Sequence, residues 1–326
     1  MDALTCLTRG RDRPEGRRAQ DRGRNRRPSA VPRTSPPGPY PVADERECTL
    51  AQANEPTDGR RPREFRCVRN LCTATPSASA IVGGEPVADG KRPFVVQIEE
   101  QGDDGAWSHF CGGALIDSRV VATAAHCAKF AEQGKVEIRL VLGRADSSAP
   151  GGTVVTDDHF AVHSHPEFST LTNTDLGLIV LDRPADQATA ALPALRTKLR
   201  AGRLLRAAGW GRTDLAEPDK PSRLREATLP VTKFDTEGGT WDKQFICAGT
   251  AQSRVAPGDS GGPLFDPGAS GKAVVYGLVT GETNTCQGLF TNLADPAIWK
   301  VFREPLASHG LSHVIPTEAA DPAEAA

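Results

Sequence analysis

Pro257-Gly258-Asp259-Ser260-Gly261-Gly262-Pro263 is the stretch on which the reading of this chain turns. A serine set among three glycines lets another backbone approach closely and leaves main-chain N–H groups free to point outward. A hydroxyl is a poor nucleophile by itself, so the stretch carries chemistry only if a base and an orienting acid occur elsewhere. Alone, it reads equally well as a glycine-rich turn between strands. Two upstream passages supply the missing groups, Ala122-Thr123-Ala124-Ala125-His126-Cys127 and Asn173-Thr174-Asp175-Leu176-Gly177-Leu178-Ile179. Histidine, aspartate and serine follow one another in an order known for such a triad.

Further motifs keep the same order. Ile81-Val82-Gly83-Gly84, Cys111-Gly112-Gly113-Ala114-Leu115-Ile116, Gly209-Trp210-Gly211, Ile246-Cys247-Ala248-Gly249 and Trp299 span residues 81 to 303. From Cys111 to Cys127 is 16 residues and from Cys247 to Ser260 is 13. In these segments the chain resembles the chymotrypsin/trypsin-like serine endopeptidases (peptidase S1). The resemblance implies an all-β fold of two six-stranded antiparallel Greek-key barrels with a C-terminal helix. His126 and Asp175 then lie in the first barrel and Ser260 in the second, with the site in the cleft between them.

The residues between the motifs suit that fold. Short apolar or alternating runs at Phe94–Ile98, Phe110–Ile116, Val136–Leu142, Leu176–Leu181, Arg203–Ala208 and Ala273–Thr280 are separated by turns rich in Gly, Pro and Asp. Helical periodicity is weak until Asp295, which can cap a helix with Pro296 in its first turn and Ile298, Val301 and Phe302 on a buried face. The expected organisation is a leader over 1–80, barrel one over about 81–184, a crossover near 184–200, barrel two over about 200–293, the terminal helix over about 295–303 and a tail at 317–326, the domain as a whole covering 81–316.

Residues 1–80 differ in composition from the rest. They hold 16 arginines, no lysine, 10 acidic residues and 10 of the 26 prolines, a net +6 against −8 for residues 81–326. Such a segment has too little apolar content for a core and reads as a mostly disordered leader or propeptide. It lacks the aromatic interleaving of a nucleic-acid-binding arm, so no nucleic-acid partner is expected. Ser77-Ala78-Ser79-Ala80 resembles a small-residue secretory cleavage site. No apolar h-region precedes it, so the start of the leader differs from the one written, or the leader is a propeptide exported by another route. No run has transmembrane length, and no stable membrane insertion is expected.

By resemblance, Ser260 is the nucleophile, His126 the general base and acid, and Asp175 the group that orients the imidazole. The N–H groups of Gly258 and Ser260 form the oxyanion hole. A freed Ile81 ammonium inserts beside Asp259, so the uncleaved chain is a zymogen. The bland alternatives are a core histidine beside a disulfide for His126 and turn caps for Asp175 and Asp259.

The chain has eight cysteines. The resemblance implies a Cys111–Cys127 disulfide and, with it, an oxidising extracellular compartment. Cys247 and Cys286 lack their usual partners, Glu237 and Ala256 standing in those places. They pair with each other or stay free. Paired C-x-x-C spacing for zinc is missing within the domain. Relatives that bind calcium carry a glutamate where this chain has Arg144, and Asp146 alone is a poor site. No metal and no cofactor are expected.

The substrate pocket departs most from the family. Six residues before the serine, where trypsin-like enzymes carry aspartate, stands Arg254. Thr280, Gly281, Glu282 and Gly288 are the other expected pocket residues, Gly281 replacing the usual tryptophan and Glu282 a common glycine. Arg254 selects acidic side chains, pairs internally with Glu282, or faces solvent. All three disfavour cleavage after Lys or Arg. The function implied is a secreted serine endopeptidase, monomeric, with protein or peptide substrates and proteinaceous inhibitors as partners. The alternative is a catalytically silent, protease-like binding or scaffold protein.

Overall fold

In a computed structural model the described residues are 81–168, 174–213, 221–232, 244–269 and 271–319, with the backbone of two short strands at 65–68 and 71–74. The chain divides into units 1–62 and 63–326, and all described residues belong to the second. The expected leader otherwise lies outside the described residues, as do 320–326 of the tail. Within it, β1 (Phe65–Val68) and β2 (Leu71–Ala74) form an antiparallel hairpin, a piece of regular structure where none was expected.

The first large sheet contains β4 (Val95–Gln101), β5 (Trp107–Asp117), β6 (Val120–Thr123), β7 (Ile138–Leu142), β8 (Thr153–Thr156), β9 (Phe160–Ser164) and β10 (Gly177–Leu181). Its order is β8-β7-β4-β5-β6-β10-β9. The second contains β11 (Leu204–Gly209), β12 (Arg225–Thr232), β13 (Phe245–Ala248), β14 (Pro263–Asp266), β15 (Val274–Thr283) and β16 (Cys286–Asn292), in the order β11-β14-β15-β16-β13-β12. A ladder from β11 to β12 closes these six into a barrel. The first sheet instead has seven strands and curls as a half-barrel. Its terminal strands β8 and β9 are joined by the 3-10 turn Asp157–His159, and β8 is exposed at three of four positions. Closure there would bury little apolar surface.

The apolar runs read from sequence become these strands. β10 is buried at all five positions because it packs on both faces, which accounts for its unbroken apolar character. One core cluster runs from Val96, Leu115 and Leu178 through Trp210 and Phe265 to Trp299 and Phe302, joining the two sheets. Phe94 meets Phe265 edge to face at 5.1 Å. A second cluster, with Leu205, Leu229, Val279 and Phe290, lies within the closed barrel.

Two expected boundaries move. Residues 81–86, assigned to barrel one, belong to barrel two. Ile81 is wholly buried in that barrel's cluster, and β3 (Glu85–Pro86) pairs with Arg225 and Glu226 of β12. The driving force is burial of the Ile81 side chain, which no local pattern reveals. The terminal helix also starts later than residue 295. Asp295 caps no helix: it accepts the Ala297 N–H at 2.9 Å in a local turn, further turns follow, then a 3-10 turn at Lys300–Phe302 and α2 (Arg303–Ser308). α2 is numbered after α1 (Ala125–Glu132), the helix that follows β6. Ile298 and Phe302 are buried as expected.

Candidate active site

His126 sits in the first turn of α1. The turn is anchored by the Cys111–Cys127 disulfide, whose Cα atoms are 6.4 Å apart, tying the helix to the middle of β5. Asp175 lies just before β10, whose ladder with β6 sets Gly177 opposite Thr123. Gly177 has no room for a side chain: a Cβ would stand 2.6 Å from that of Ala128. Helix and strand therefore approach closely, and Asp175 meets His126.

The Asp175 carboxylate, 1% exposed, grips His126 twice. The His126 main-chain N–H donates to Oδ1 at 2.9 Å and the ring Nδ1–H donates to Oδ2 at 2.8 Å. A carboxylate only accepts, so the neutral ring carries its proton on Nδ1 and turns Nε2 outward as a base. The imidazole, 27% exposed, is the part of the pair open to a substrate. The second barrel holds the aspartate from behind. Thr291 Oγ1 donates to the Asp175 carbonyl at 3.1 Å, and Thr280 Oγ1 lies 2.9 Å from Thr291 Oγ1.

Ser260 lies on a loop that packs against β5 and β6, next to the start of α1. The Ser260 carbonyl accepts the Gly112 N–H at 2.7 Å. Gly261, at φ +75°, is so close to β6 that a Cβ there would stand 2.3 Å from Thr123 Oγ1 and 3.0 Å from the Ala124 nitrogen, at the start of the histidine's helix. Among the described residues no hydrogen bond joins the Ser260 hydroxyl to His126.

The loop ahead of the serine is pinned by its carbonyls. Pro257 C=O accepts the Arg212 N–H at 2.9 Å, which turns the N–H of the same peptide, that of Gly258, the opposite way. Gly258 has φ +98°, and its own C=O accepts from His109 Nε2 at 2.7 Å. Among the described residues neither the Gly258 nor the Ser260 N–H is taken by a protein acceptor. Asp259, wholly buried, accepts N–H groups from Gly211 at 2.8 Å and Ala256 at 2.9 Å. Ile81 is held at φ +45°, and Val82 forms a bridge with Arg254.

His109 was not among the residues singled out from sequence. It lies two positions before Cys111 with nothing local to mark it. Its Nδ1 faces Gln97 Nε2 at 3.4 Å, and Gln97 Oε1 accepts from Arg144 Nη2 at 2.8 Å. Arg144 also pairs with the buried Glu99, which takes Arg139 as well. The arginine that replaces the calcium-loop glutamate thus turns inward, while Asp146 pairs with Arg223 at 3.4 Å. Among the described residues one His/Cys/acid trio lies within metal-binding reach, Cys111, His126 and Cys127. Its two cysteines are consumed by the disulfide.

Of the residues expected in the pocket, Arg254 precedes the serine loop, Thr280, Gly281 and Glu282 lie on β15 and Gly288 on β16. Arg254 Nη1 donates to Glu282 Oε2 at 3.1 Å, so of the three readings of Arg254 the internal pair is the one observed. A Cβ on Gly281 would meet nothing within 4 Å, whereas one on Gly288 would stand 2.8 Å from the Ala248 carbonyl and 3.0 Å from the Phe290 ring. Gly281 faces open space and Gly288 is packed. Cys247 and Cys286 bond to one another, with Cα atoms 5.7 Å apart.

A histidine clamped by a buried aspartate, and a serine on a glycine loop packed against the same strands, in a fold of one closed barrel and one half-barrel, is the arrangement of the serine-protease class. The chain belongs to the trypsin family of that class, peptidase S1: the Trypsin family model matches residues 81–298. It is similar to granzyme F of Mus musculus, 30% identical over 233 residues covering 68% of this chain and 90% of the relative. It is also similar to phenoloxidase-activating factor 3 of Holotrichia diomphalia, 30% identical over 67% of this chain and 71% of the relative. CLIP domain-containing serine protease B4 of Anopheles gambiae is 28% identical over 67% of this chain and 69% of the relative. Membership implies protein substrates.

Proposed function

We propose that the chain is a secreted serine endopeptidase that hydrolyses peptide bonds through a Ser260–His126–Asp175 triad and is released from a zymogen at Ile81. The observation that carries this reading is the double grip of Asp175 on His126, which leaves Nε2 as the free base. Ser260 Oγ attacks the scissile carbonyl carbon while Nε2 takes its proton, and Asp175 stabilises the imidazolium that forms. The negative charge on the carbonyl oxygen is received by the Gly258 and Ser260 N–H groups, each such donor contributing roughly 3 kcal/mol in the transition state. His126 returns the proton to the leaving amine. Water, deprotonated by the same nitrogen, then cleaves the acyl-enzyme.

Activation rests on Asp259. A carboxylate with no exposure gains most from a full positive charge beside it, and the α-ammonium of a freed Ile81 would supply one. While Ile81 remains acylated its own nitrogen carries no charge. Its left-handed backbone is costly for a β-branched residue, on the order of 1–2 kcal/mol. The two disulfides of the domain suit an oxidising, extracellular setting. Among the described residues no helix is long and apolar enough to cross a membrane.

The test is turnover of a peptide library by the processed chain, together with fluorophosphonate labelling of Ser260. Ser260→Ala and His126→Ala should each remove nearly all turnover, and the double variant should lose little more than either. Peptidase activity of Ser260→Ala comparable with the parent overturns the assignment. Failure of the parent to label or cleave favours the silent, protease-like binding protein.

A further inference from the structure

Gln97 and Glu99 of β4 are 0% and 4% exposed, an amide and a carboxylate placed where burial is costly unless each is hydrogen-bonded. Neither takes part in the steps proposed above. Arg144, just past the end of β7, reaches both with one nitrogen. Its Nη2 donates to Gln97 Oε1 at 2.8 Å and to Glu99 Oε1, while Arg139 holds the other Glu99 oxygen at 2.7 Å. With Oε1 taken by the guanidinium, the Gln97 NH2 is turned toward His109 Nδ1, at 3.4 Å. His109 Nε2 lies 2.7 Å from the Gly258 carbonyl. A carbonyl only accepts, so Nε2 carries the proton of the neutral ring and Nδ1 keeps a lone pair for the Gln97 amide. Trp210 lies beside the ring, 5.7 Å between centroids. Donors therefore run one way, from Arg144 through Gln97 and His109 to Gly258.

We infer that Arg144 is a positioning residue for the oxyanion hole, acting through Gln97 and His109 on the Gly258 carbonyl. The inference rests on the serine-protease reading above. Gly258 has φ +98° and no Cβ to resist rotation, so the direction of its N–H depends on the carbonyl bonds to either side. These are the Arg212 N–H to Pro257 and His109 Nε2 to Gly258 itself. Without the Arg144 cation the Gln97 amide is free to turn over and offer Oε1 to His109 Nδ1. The ring then gains a proton on Nδ1 and gives up the one on Nε2, whose lone pair faces those of the Gly258 carbonyl. That peptide turns away, and the Gly258 N–H no longer points at the developing oxyanion. The arginine in place of the calcium-loop glutamate thus connects the β7–β8 loop to the catalytic centre.

The experiment uses the full chain with an enteropeptidase recognition sequence replacing residues 76–80, cleaved to leave Ile81 as the new N-terminus. Active sites are counted by fluorophosphonate labelling carried to completion, and kcat and KM are measured separately on one peptide that the parent cleaves. Arg144→Met, which leaves Glu99 paired with Arg139, should lower kcat at least about tenfold with KM within about twofold, short of the roughly 100-fold of an absent donor. Arg144→Lys should recover kcat to within about threefold of the parent, because a single ammonium can serve both acceptors as Nη2 does. His109→Phe, which leaves the Arg144–Glu99 pair in place, should lower kcat at least about tenfold. The double variant should lose no more than about twofold beyond His109→Phe, since the two residues act in series. Nitrogen NMR of isotope-labelled histidine should show His109 with its proton on Nε2 in the parent and on Nδ1 in Arg144→Met, its signals being those that vanish in His109→Phe. A kcat within twofold of the parent in either single variant overturns the inference, as do losses that multiply in the double variant or a tautomer unchanged by Arg144→Met. A parent that neither labels nor cleaves defeats the serine-protease reading, and the tautomer measurement then still decides the link from Arg144 to His109.

Discussion

Replacing Gly211 with alanine should disable the site without touching any residue of the triad. A Cβ built at position 211 lies 2.4 Å from Asp259 Cγ and 2.5 and 2.6 Å from its two carboxylate oxygens. These are 0.4–0.6 Å inside the 3.0 Å that real Cβ atoms keep, and both Asp259 and the adjoining Trp210 are wholly buried. The carboxylate has to leave, giving up the N–H groups of Gly211 and Ala256. Hydrogen bonds to a charged group contribute about 1.5–3 kcal/mol each, so roughly 3–6 kcal/mol that now fixes the loop is lost. Gly258 and Ser260 flank the displaced residue, and one misdirected oxyanion donor lowers kcat about 100- to 1,000-fold. The expected result is a fall in kcat/KM of at least about 100-fold, carried by kcat, with Tm lowered on the order of 10 °C. Steady-state kinetics, fluorophosphonate labelling rates and thermal melts on the processed chain measure all three. Gly134→Ala is the control: that glycine has φ +63°, but nothing lies within 4 Å of a Cβ there, so it carries backbone strain alone. A Gly211→Ala enzyme with kcat/KM within twofold of the parent would refute the coupling of Asp259 to the oxyanion loop.

The same coupling predicts that the chain starting at Ile81 is active, while the chain from Met1 and one carrying a single extra residue before Ile81 are nearly inert; equal turnover by all three would sink the insertion mechanism. Acid stability should follow Glu226, which is buried on β12 among Arg92, Arg206 and Lys91. Burial works to raise its pKa, but the Arg92 hydrogen bond and charge, with Arg206 and Lys91, outweigh it and hold the pKa below the ordinary 4.5. A depressed carboxyl pKa stabilises the fold above the ordinary value, and that contribution is lost as pH falls from about 4.5 through the folded pKa. Glu226→Ala should therefore cost about 1–3 kcal/mol near neutral pH, leaving the largely buried Arg92 without this partner, and flatten the fall in Tm below that pH. A melting profile against pH identical to the parent's would contradict this.

Much of the molecule was legible before any coordinates. Runs such as Leu176–Leu181 and Phe110–Ile116 encode strands because side-chain burial alternates, or persists, within a few residues of chain. The order of His126, Asp175 and Ser260 marked the three groups proposed for the site, since a glycine-rich serine loop and an apolar strand interrupted by an acid are local signatures. The pairing of Cys111 with Cys127 followed from resemblance over a short spacing.

What sequence left open were choices between partners distant along the chain. Cys247 could bond to Cys286 or stay free, and only the placing of β13 beside β16 brings their Cα atoms to 5.7 Å. Arg254 had three readings. Glu282, 28 residues later, becomes its partner because β15 runs alongside the serine loop. His109 gave no local signal at all, being 149 residues from the Gly258 carbonyl to which it donates. Ile81 and β3 joined the second barrel rather than the nearer first one, because the second core holds the space that buries Ile81. Local pattern determines which segments are strands and which residues are chemically able. Contacts between residues far apart depend on how two independently curled sheets meet, and that is decided only when their shared core around Trp210 and Phe265 packs.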